Sequence, residues 1–381
     1  TGINRNIHSG VIMPNFINDF FENRGWLRIP QHNSATGRLQ VAGTNIDPYE
    51  FTLADFKNLV STDYDGIDVI IIDVHTNYLG VGGLRVRGGS QWTMRDYSAY
   101  FSARADALAA FPAASYPGFR IFSADYGSYG GGYEVSDGSA YNTERETIVY
   151  RDPTTSNVLI IPSVAATAAA DNAGTVRLTF GSAHGITAGQ AYPGNGLPNA
   201  QLYVTASGNG WTAGTWHTIT NISDTTNIDV STSSAGITGA PTLATVASAS
   251  VVPMKTITIP PLSAKGSIVI EALTVAYISA NNKNLTIKLN GNTLFAPTFA
   301  SGTSVALYTN SRWVIANVNS KSSQKTTSGN TSPYGTTSTS SGAPGTSAVD
   351  TSVDTTLTLN WQPAAVNERI YFEHMMVSVR P

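Results

Sequence analysis

The densest group of side chains able to do chemistry is acidic: Asp63, Asp65 and Asp68 stand close together, with Asp73 and His75 just behind them. Carboxylates so gathered suit a hard cation bound through oxygen. Their spacing departs from an EF-hand loop, however, and solvated turn carboxylates ahead of a buried strand are the plainer account. Asp73 and His75 close that strand, where α/β enzymes set catalytic groups. A second set, Glu134, Asp137, Glu144 and Glu146, could act on a glycosidic bond, one carboxyl as general acid and another as base or nucleophile. The same stretch, YGSYGGGYEVSDGSAY at 126–141, carries Tyr126, Tyr129, Tyr133 and Tyr141 among glycines. As an exposed loop it would offer rings to a sugar or a protein; a packed Tyr-Gly loop at a subunit interface is the equal alternative. Trp211 and Trp216 in GNGWTAGTWHT are further candidates for ligand contact, with one ring expected in the core of a small module.

Other chemistries are excluded or disfavoured. The chain has no cysteine, which removes disulfides, thiolate nucleophiles, iron–sulfur clusters and Cys-ligated zinc. His8, His32, His184, His217 and His374 are scattered, and none has the i, i+4 spacing of a helical metal pair. The glycines of GVGGLRVRGG at 80–89 lack the strand-to-helix setting of a phosphate cradle and read as a flexible connection, while Arg85 and Arg87 alternate with apolar residues as on an edge strand with a basic outer face. No metal, cofactor or catalytic residue is assigned. A net charge of -3 gives no excess of cations for a phosphate backbone, so nucleic acid is not an expected partner. No apolar run approaches the ~18 to 20 residues that span a bilayer, and no basic-then-apolar leader opens the chain. The expectation is a soluble chain without membrane insertion and unprocessed by signal peptidase; a start at Thr1 fits loss of an initiator Met, or equally a cleaved or trimmed precursor.

These residues must be positioned by two or three domains, since 381 residues exceed what one domain ordinarily holds. Charged side chains concentrate in residues 1–153, which hold 29 of them against 18 in the remainder. A boundary is therefore expected near Asp152. Before it, GIDVIIIDVHTN at 66–77 reads as a central strand buried on both faces. WTMRDYSAYFSARADALAAF at 92–111 reads as one helix, with Tyr97, Phe101, Ala105, Leu108 and Phe111 on one face. GFRIFSADYG at 118–127 follows as a strand, giving a βαβ unit. Shorter helices are expected at 14–23 and 52–60. Beyond the boundary Thr, Ser, Val, Ile, Asn and Gly dominate, the composition of strands and turns. ATAAADNAG at 166–174 reads as a linker, a compact β module runs over 175–248, and strand signals resume from Val251. Asn290-Gly291 marks a type I′ hairpin. The Ser/Thr/Gly stretch from Ser320 to Thr356 reads as a long loop or arm lying outside the core.

Three segments of the C-terminal part carry a family likeness: IPPLSAKGSIVIEALTVAYISANNKNLTIKLNGNTLF at 259–295, NSKSSQKTTSG at 319–329, and SAVDTSVDTTLTLNWQPAAVNERIYFEHMMVSVRP at 347–381. Together they resemble a jelly-roll domain of tailed-bacteriophage virion proteins found in tail fibres and related appendages. AHGITAGQ at 183–190 and NISDTTNIDVSTSSAG at 221–236 resemble small β domains that recur in phage tail and head-associated proteins, with Gln190 where those have Asp. The run DVIIIDVHTN also resembles a strand block of SGNH esterases, with Asn77 at their oxyanion position. The Gly-Asp-Ser nucleophile and the Asp-x-x-His pair of those enzymes are both absent.

The sequence therefore leads to a mainly β chain: an N-terminal α/β domain at 1–150, a jelly-roll β-sandwich at 151–174 and 249–381, and an inserted small β-barrel-like module at 175–248. The resemblance implies a non-enzymatic structural protein of a tailed-phage virion, a tail fibre or fibre-like appendage subunit working in assembly and host attachment. Expected partners are its own copies as a homotrimer, other virion proteins and a host surface glycan. A head decoration or collar protein and a carbohydrate-active tailspike are the alternatives.

Overall fold

The computed structural model describes residues 41–381 except 43–44, 47–48, 76–82, 97, 127–130, 193–197, 249–250, 278–281, 297, 301–306 and 331–344. The chain is mainly β, as the sequence indicates. The helix expected at 14–23 lies outside the described residues. No helix among them is long and apolar enough to cross a membrane. Two compact units divide the chain, one ending at Glu144 and the other running from Arg145 to Pro381. The boundary thus falls a few residues before the expected one.

In the first unit β1 (Val41–Ala42) and β2 (Asn45–Ile46) form a short ribbon. The main sheet contains β3 (Tyr49–Phe51), β4 (Asp68–His75), β5 (Gly83–Arg87), β6 (Thr93–Met94), β7 (Ala99–Phe101), β8 (Arg120–Ser123), β9 (Gly132–Ser136) and β10 (Tyr141–Thr143). Its order is β10-β9-β8-β7-β4-β5-β6, with β3 also on β4. Two parallel pairs, β3 with β4 and β7 with β8, are each bridged by a helix, Leu53–Phe56 and Arg104–Ala110. The remaining pairs are antiparallel, so the sheet is mixed.

Two expectations change here. β4 is central, but it buries one face rather than two: Val69, Ile71 and Val74 enter the core, while Ile72 is 47% exposed and His75 is exposed. The alternation breaks where the β4–β5 register shifts between Ile71 and His75. The long helix expected over 92–111 is instead β6, β7 and a helix of seven residues. The aromatic run Tyr100-Phe101 pairs into the sheet, where large rings pack well, and that pairing overrides the local helical preference. Ala105, placed by periodicity on the buried face, points to solvent. Asp125 accepts a hydrogen bond from the Arg104 amide at 2.6 Å and so fixes where the helix begins.

The second unit opens with β11 (Thr147–Asp152), followed by the module strands β12 (Ala166–Asn172), β13 (Thr175–Phe180), β14 (Gln201–Ala206), β15 (Trp216–Ile222), β16 (Asn227–Ser233) and β17 (Thr242–Leu243). The rest of the chain supplies β18 (Val252–Ile259), β19 (Ser267–Tyr277), β20 (Asn282–Leu289), β21 (Asn292–Phe295), β22 (Thr298–Ala300), β23 (Leu307–Asn317), β24 (Gln324–Asn330), β25 (Thr346–Ser347), β26 (Thr355–Gln362) and β27 (Arg369–Arg380). A sheet ordered β11-β27-β19-β23-β24-β25 and a second ordered β18-β26-β20-β21, with β22 on β20, form an antiparallel sandwich. Inward residues of both sheets share one apolar layer, in which Ile270, Trp313 and Phe372 meet Ile287, Leu359 and Trp361. Asn290 and Gly291 take positive φ of 45° and 79° in the turn between β20 and β21, as the hairpin signal predicts.

Three further expectations are corrected. The Ala-rich segment 166–174 is a strand and its turn, not a linker, and it belongs to the module sheet. That sheet, ordered β12-β13-β16-β15-β14-β17, is open: its terminal strands are not paired with each other, so it is no closed barrel. The stretch 320–356 is not an arm throughout. β24 continues the sandwich, and buried Gln324 donates to the Val349 carbonyl at 2.9 Å while accepting from the Val349 amide at 3.0 Å. A side chain that mimics a strand partner in this way lets a polar segment enter the core. Residues 331–344 lie outside the described set.

Candidate binding surface

Most of the candidate acidic residues are engaged in holding the fold. Glu134, on β9, is fully buried and receives two hydrogen bonds from Arg104, at 2.8 and 3.0 Å. Glu144 pairs with Arg120 at 2.7 Å. Asp137 accepts from the amides of Ser139 and Ala140 and closes its own turn. Glu146 belongs to the second unit; burial raises its pKa, but hydrogen bonds from Arg380 and Ser378 outweigh that and hold it below the usual carboxylate range. Asp73 accepts from the Leu53 amide at 2.7 Å and so supports the helix Leu53–Phe56. Asp68 receives both Nε and Nη2 of Arg87. Arg87 lies on β5, one strand in from the edge strand β6, and is therefore not on an edge. No group of three or more His, Asp or Glu among the described residues is arranged to hold a metal ion.

The tyrosines separate into two environments, contrary to the expectation of one exposed loop. Tyr126 and Tyr141 are each only 2% exposed. Tyr126 hydrogen-bonds Thr143 and lies under the Arg104 guanidinium, 5.7 Å from its ring centre. Burial, then the charge of Glu134 and Tyr116, pushes the Tyr141 hydroxyl well above the ordinary tyrosine range, so it stays protonated. Tyr129 lies outside the described residues. Tyr133 is the expected ring that remains half-buried at the surface.

Tyr133 does not act alone. Strand register sets His75, Tyr100, Phe122 and Tyr133 side by side on β4, β7, β8 and β9. Directly paired residues project from the same face of a sheet. Their neighbours Ala99 and Ile121 are fully buried on the other face. The Tyr100 and Phe122 rings stack at 5.7 Å and 16°, and Phe122 meets Tyr133 at 4.8 Å and 60°. Arg120 projects beside Phe122 and carries the Glu144 pair at the rim. The result is an aromatic row with a polar margin, suited to packing against a sugar or an apolar side chain. Sequence reading missed Tyr100 because the helix assignment masked it, although the alternation in SAYF and RIFS was there to be used.

The module tryptophans serve packing. Trp211 is buried and donates from Nε1 to the Gly239 carbonyl at 2.8 Å, which makes it the expected core ring. Trp216 lies 4.9 Å from Tyr203 and packs against the sandwich core. AHGITAGQ likewise has a structural use. His184 is buried, its Nδ1 accepts from the Ile186 amide, and the loop it shapes meets Asn367 through Gly185 and Thr187.

No known family pattern matches the chain, and no curated protein matches it in sequence. Among solved structures, the CBM2 module of the evolved Dit protein of Lactobacillus casei BL23 phage J-1 is 10% identical, covering 61% of this chain and 96% of that one at a TM-score of 0.22. The infectious bursal disease virus Gt strain structure is 13% identical, covering 66% and 73% at a TM-score of 0.16. Likenesses this slight assign neither fold nor role.

Proposed function

We propose that the chain is a non-enzymatic structural subunit of a tailed-phage virion, a tail fibre or fibre-like appendage that contributes to assembly and host attachment. The support is the sequence resemblance of residues 259–381 together with a mainly β sandwich fold. The observation that carries the attachment role is the row of Tyr100, Phe122 and Tyr133, an outward aromatic strip set in register on a rigid sheet. The observation that favours contact over turnover is that Glu134, Glu144 and Glu146 are each held by an arginine. In this reading the partners are a host surface glycan, other virion proteins and further copies of the chain, as a homotrimer.

The test incubates the purified chain with host envelope polysaccharide and with a generic ester, and reads binding and product release together. The expected result is binding without new reducing ends or released acid. Tyr133→Ala should weaken binding about fivefold, the effect of losing one stacked ring at ~1 kcal/mol. Sustained release of product that disappears in Glu134→Gln would reverse the assignment to a carbohydrate-active protein. Light scattering gives the subunit number, and a species that is monomeric both in solution and on the particle would remove the trimer from the proposal.

A further inference from the structure

β12 is the outer strand of the module sheet, and among the described residues it pairs with β13 alone. Natural proteins guard such edges with charged side chains, lysine above all, and with proline, bulges, short length or a covering layer; β12 has a bulge at Thr167 and the single charge of Asp171. β12 has seven residues, ATAAADN, and carries neither lysine nor proline. Thr167, Ala168, Ala170 and Asp171 are exposed, while Ala166 and Ala169 pack in part against the module core, so among the described residues the strand is covered on its core side only in part. The register shift between Ala166 and Ala168 is its one irregularity, leaving Ala168–Asn172 regular. Ordering such a strand costs ~1 kcal/mol or more per residue, and it buries little in return.

The backbone direction of the free edge follows from the turn. Ala173 and Gly174 have φ of 53° and 86°, a two-residue type I′ loop closed by the pair Asn172 and Thr175. The closing pair exchanges both main-chain bonds, so Asn172 and Ala170 direct theirs to β13, whereas Asp171 and Ala169 direct theirs outward. The opposite edge, β17, is two residues long, with Leu243 buried. Head-to-tail addition would therefore find almost no ladder.

We infer that β12 is an interface for a second copy of this chain, the two β12 strands pairing antiparallel about a two-fold axis through Ala169. In that register Ala168 faces the partner's Ala170, so no side chain obstructs the approach. Asp171 falls beside the partner's Thr167, the bulged residue where regular pairing ends, and the two Asp171 carboxylates lie four residues, or about 14 Å, apart along the strands. Parallel in-register pairing would set them face to face, which like charges oppose. The inference stands apart from the proposed virion role. A two-fold contact makes pairs, so any trimer contact must lie elsewhere and this one would join subunits of different trimers. Regular strand meets regular strand only over Ala168–Ala170 on each side, so the contact is small and weak in solution.

Because the natural chain has no cysteine, a single introduced thiol reports the contact cleanly. Ala169→Cys places two thiols across the axis with Cα atoms about 5.5 Å apart, within disulfide range. Under mild oxidation it should form linked dimers at least about tenfold faster than Thr212→Cys, an exposed control in the same module. Adding Ala168→Lys and Ala170→Lys sets lysines opposite each other and should reduce that rate to the control level, with the circular dichroism and melting of the monomer unchanged. Equal rates for Ala169→Cys and Thr212→Cys, or a fast rate untouched by the two lysines, overturn the inference. If the lysines alter the fold, Ala169→Cys against Thr212→Cys still decides it.

Discussion

The sandwich and the module of the second unit are both antiparallel, yet they close their cores differently. The sandwich closes mainly on itself: two sheets face each other, their inward rows of Ile, Leu, Val, Trp and Phe fill one layer, and the module adds only Tyr203 and Ala244, with Trp216 and Val246 against them, at its margin. The module has a single sheet, and its core is completed by side chains that belong to its host. Val275 from β19 and Tyr371 from β27 sit in the module core, as do Val158 and Ile160 from the strap before β12. That strap joins the two bodies through the backbone as well. Leu159 exchanges hydrogen bonds with Ile370 of the sandwich, while the Ile160 amide donates to the Gln201 carbonyl and the Gln201 amide to the Val158 carbonyl. An insertion that looks separable in sequence is thus joined to its host by both core and ladder. Excising it would leave Val275 and Tyr371 facing water, so a deletion of 166–248 should yield a sandwich less stable than the intact chain.

The largest expected effect comes from the sandwich core. Trp361→Ala removes a fully buried ring from β26 and should destabilise by roughly 3 to 5 kcal/mol. In urea unfolding the module should be lost in the same transition, because its core depends on β19 and β27. A second, later transition for the module would break the asymmetry. Next is the buried pair of Lys283 and Glu368, both fully buried with Nζ and Oε1 3.6 Å apart. Burial pulls the Lys283 pKa down, and Glu368 opposes this. Oε2 of Glu368 also accepts the amides of Ala364 and Ala365, which holds the loop leading into β27. Lys283→Met leaves a buried carboxylate without its cation and should cost about 3 kcal/mol, with much of that recovered by adding Glu368→Gln. A double variant no better than the single would show that the pair itself contributes little.

A smaller effect isolates the seam. Asn367 accepts from the Thr187 amide at 2.9 Å and donates to the Gly185 carbonyl at 2.8 Å, across 180 residues of sequence. It does so at φ 64°, a left-handed conformation that Asn tolerates better than most residues. Asn367→Gly keeps the backbone and removes both bonds, so a loss of about 1 to 2 kcal/mol is expected. Hydrogen exchange should quicken at residues 184–187 while β19 and β27 remain protected. Uniform loss of protection would mean the seam is not a separate element.

This seam also marks the limit of what the sequence discloses. The sandwich was legible because its strands alternate and Asn290-Gly291 names its own turn. That one of Trp211 and Trp216 is buried was legible because so small a module needs a large core ring, but which of the two was not. Asn367 and Arg369 carried no local signal, since their partners Thr187 and Pro198 lie 180 and 171 residues away, and Val275 carried none because only the fold brings it into the module core. The run 92–111 failed for the opposite reason. Its local helical pattern was real, but sheet pairing at Ala99–Phe101 outweighed it. Tyr126 and Tyr141 were misplaced because Gly-rich context reads as exposure, whereas Arg104, more than twenty residues away in sequence, lies over the Tyr126 ring and Tyr141 packs into the apolar core of the first unit.

The smallest expected effect tests whether the module's own core responds to acid when the sandwich does not. His217, on β15, is half-buried; its ring nitrogens contact the hydroxyls of Thr215 and Thr232, and Trp211 meets it edge-on at 4.9 Å. Burial lowers its pKa below the ordinary 6.5, because these neighbours offer no negative charge to an imidazolium. The folded state therefore favours the neutral ring, while the unfolded chain takes up a proton near pH 6.5. Stability from this site is complete above that pH and is lost as the pH falls below it toward the depressed folded-state value. Two module carboxylates stay charged through this window and do not blur the readout. Hydrogen bonds from Asn227 and Thr226 lower Asp224 to about 2, and Arg177 lowers Asp229. Melting followed by tryptophan fluorescence should show a shallow decline in stability between pH 7 and 5 that His217→Gln flattens. A decline of the same slope in the variant would assign the acid response elsewhere and remove His217 from the account.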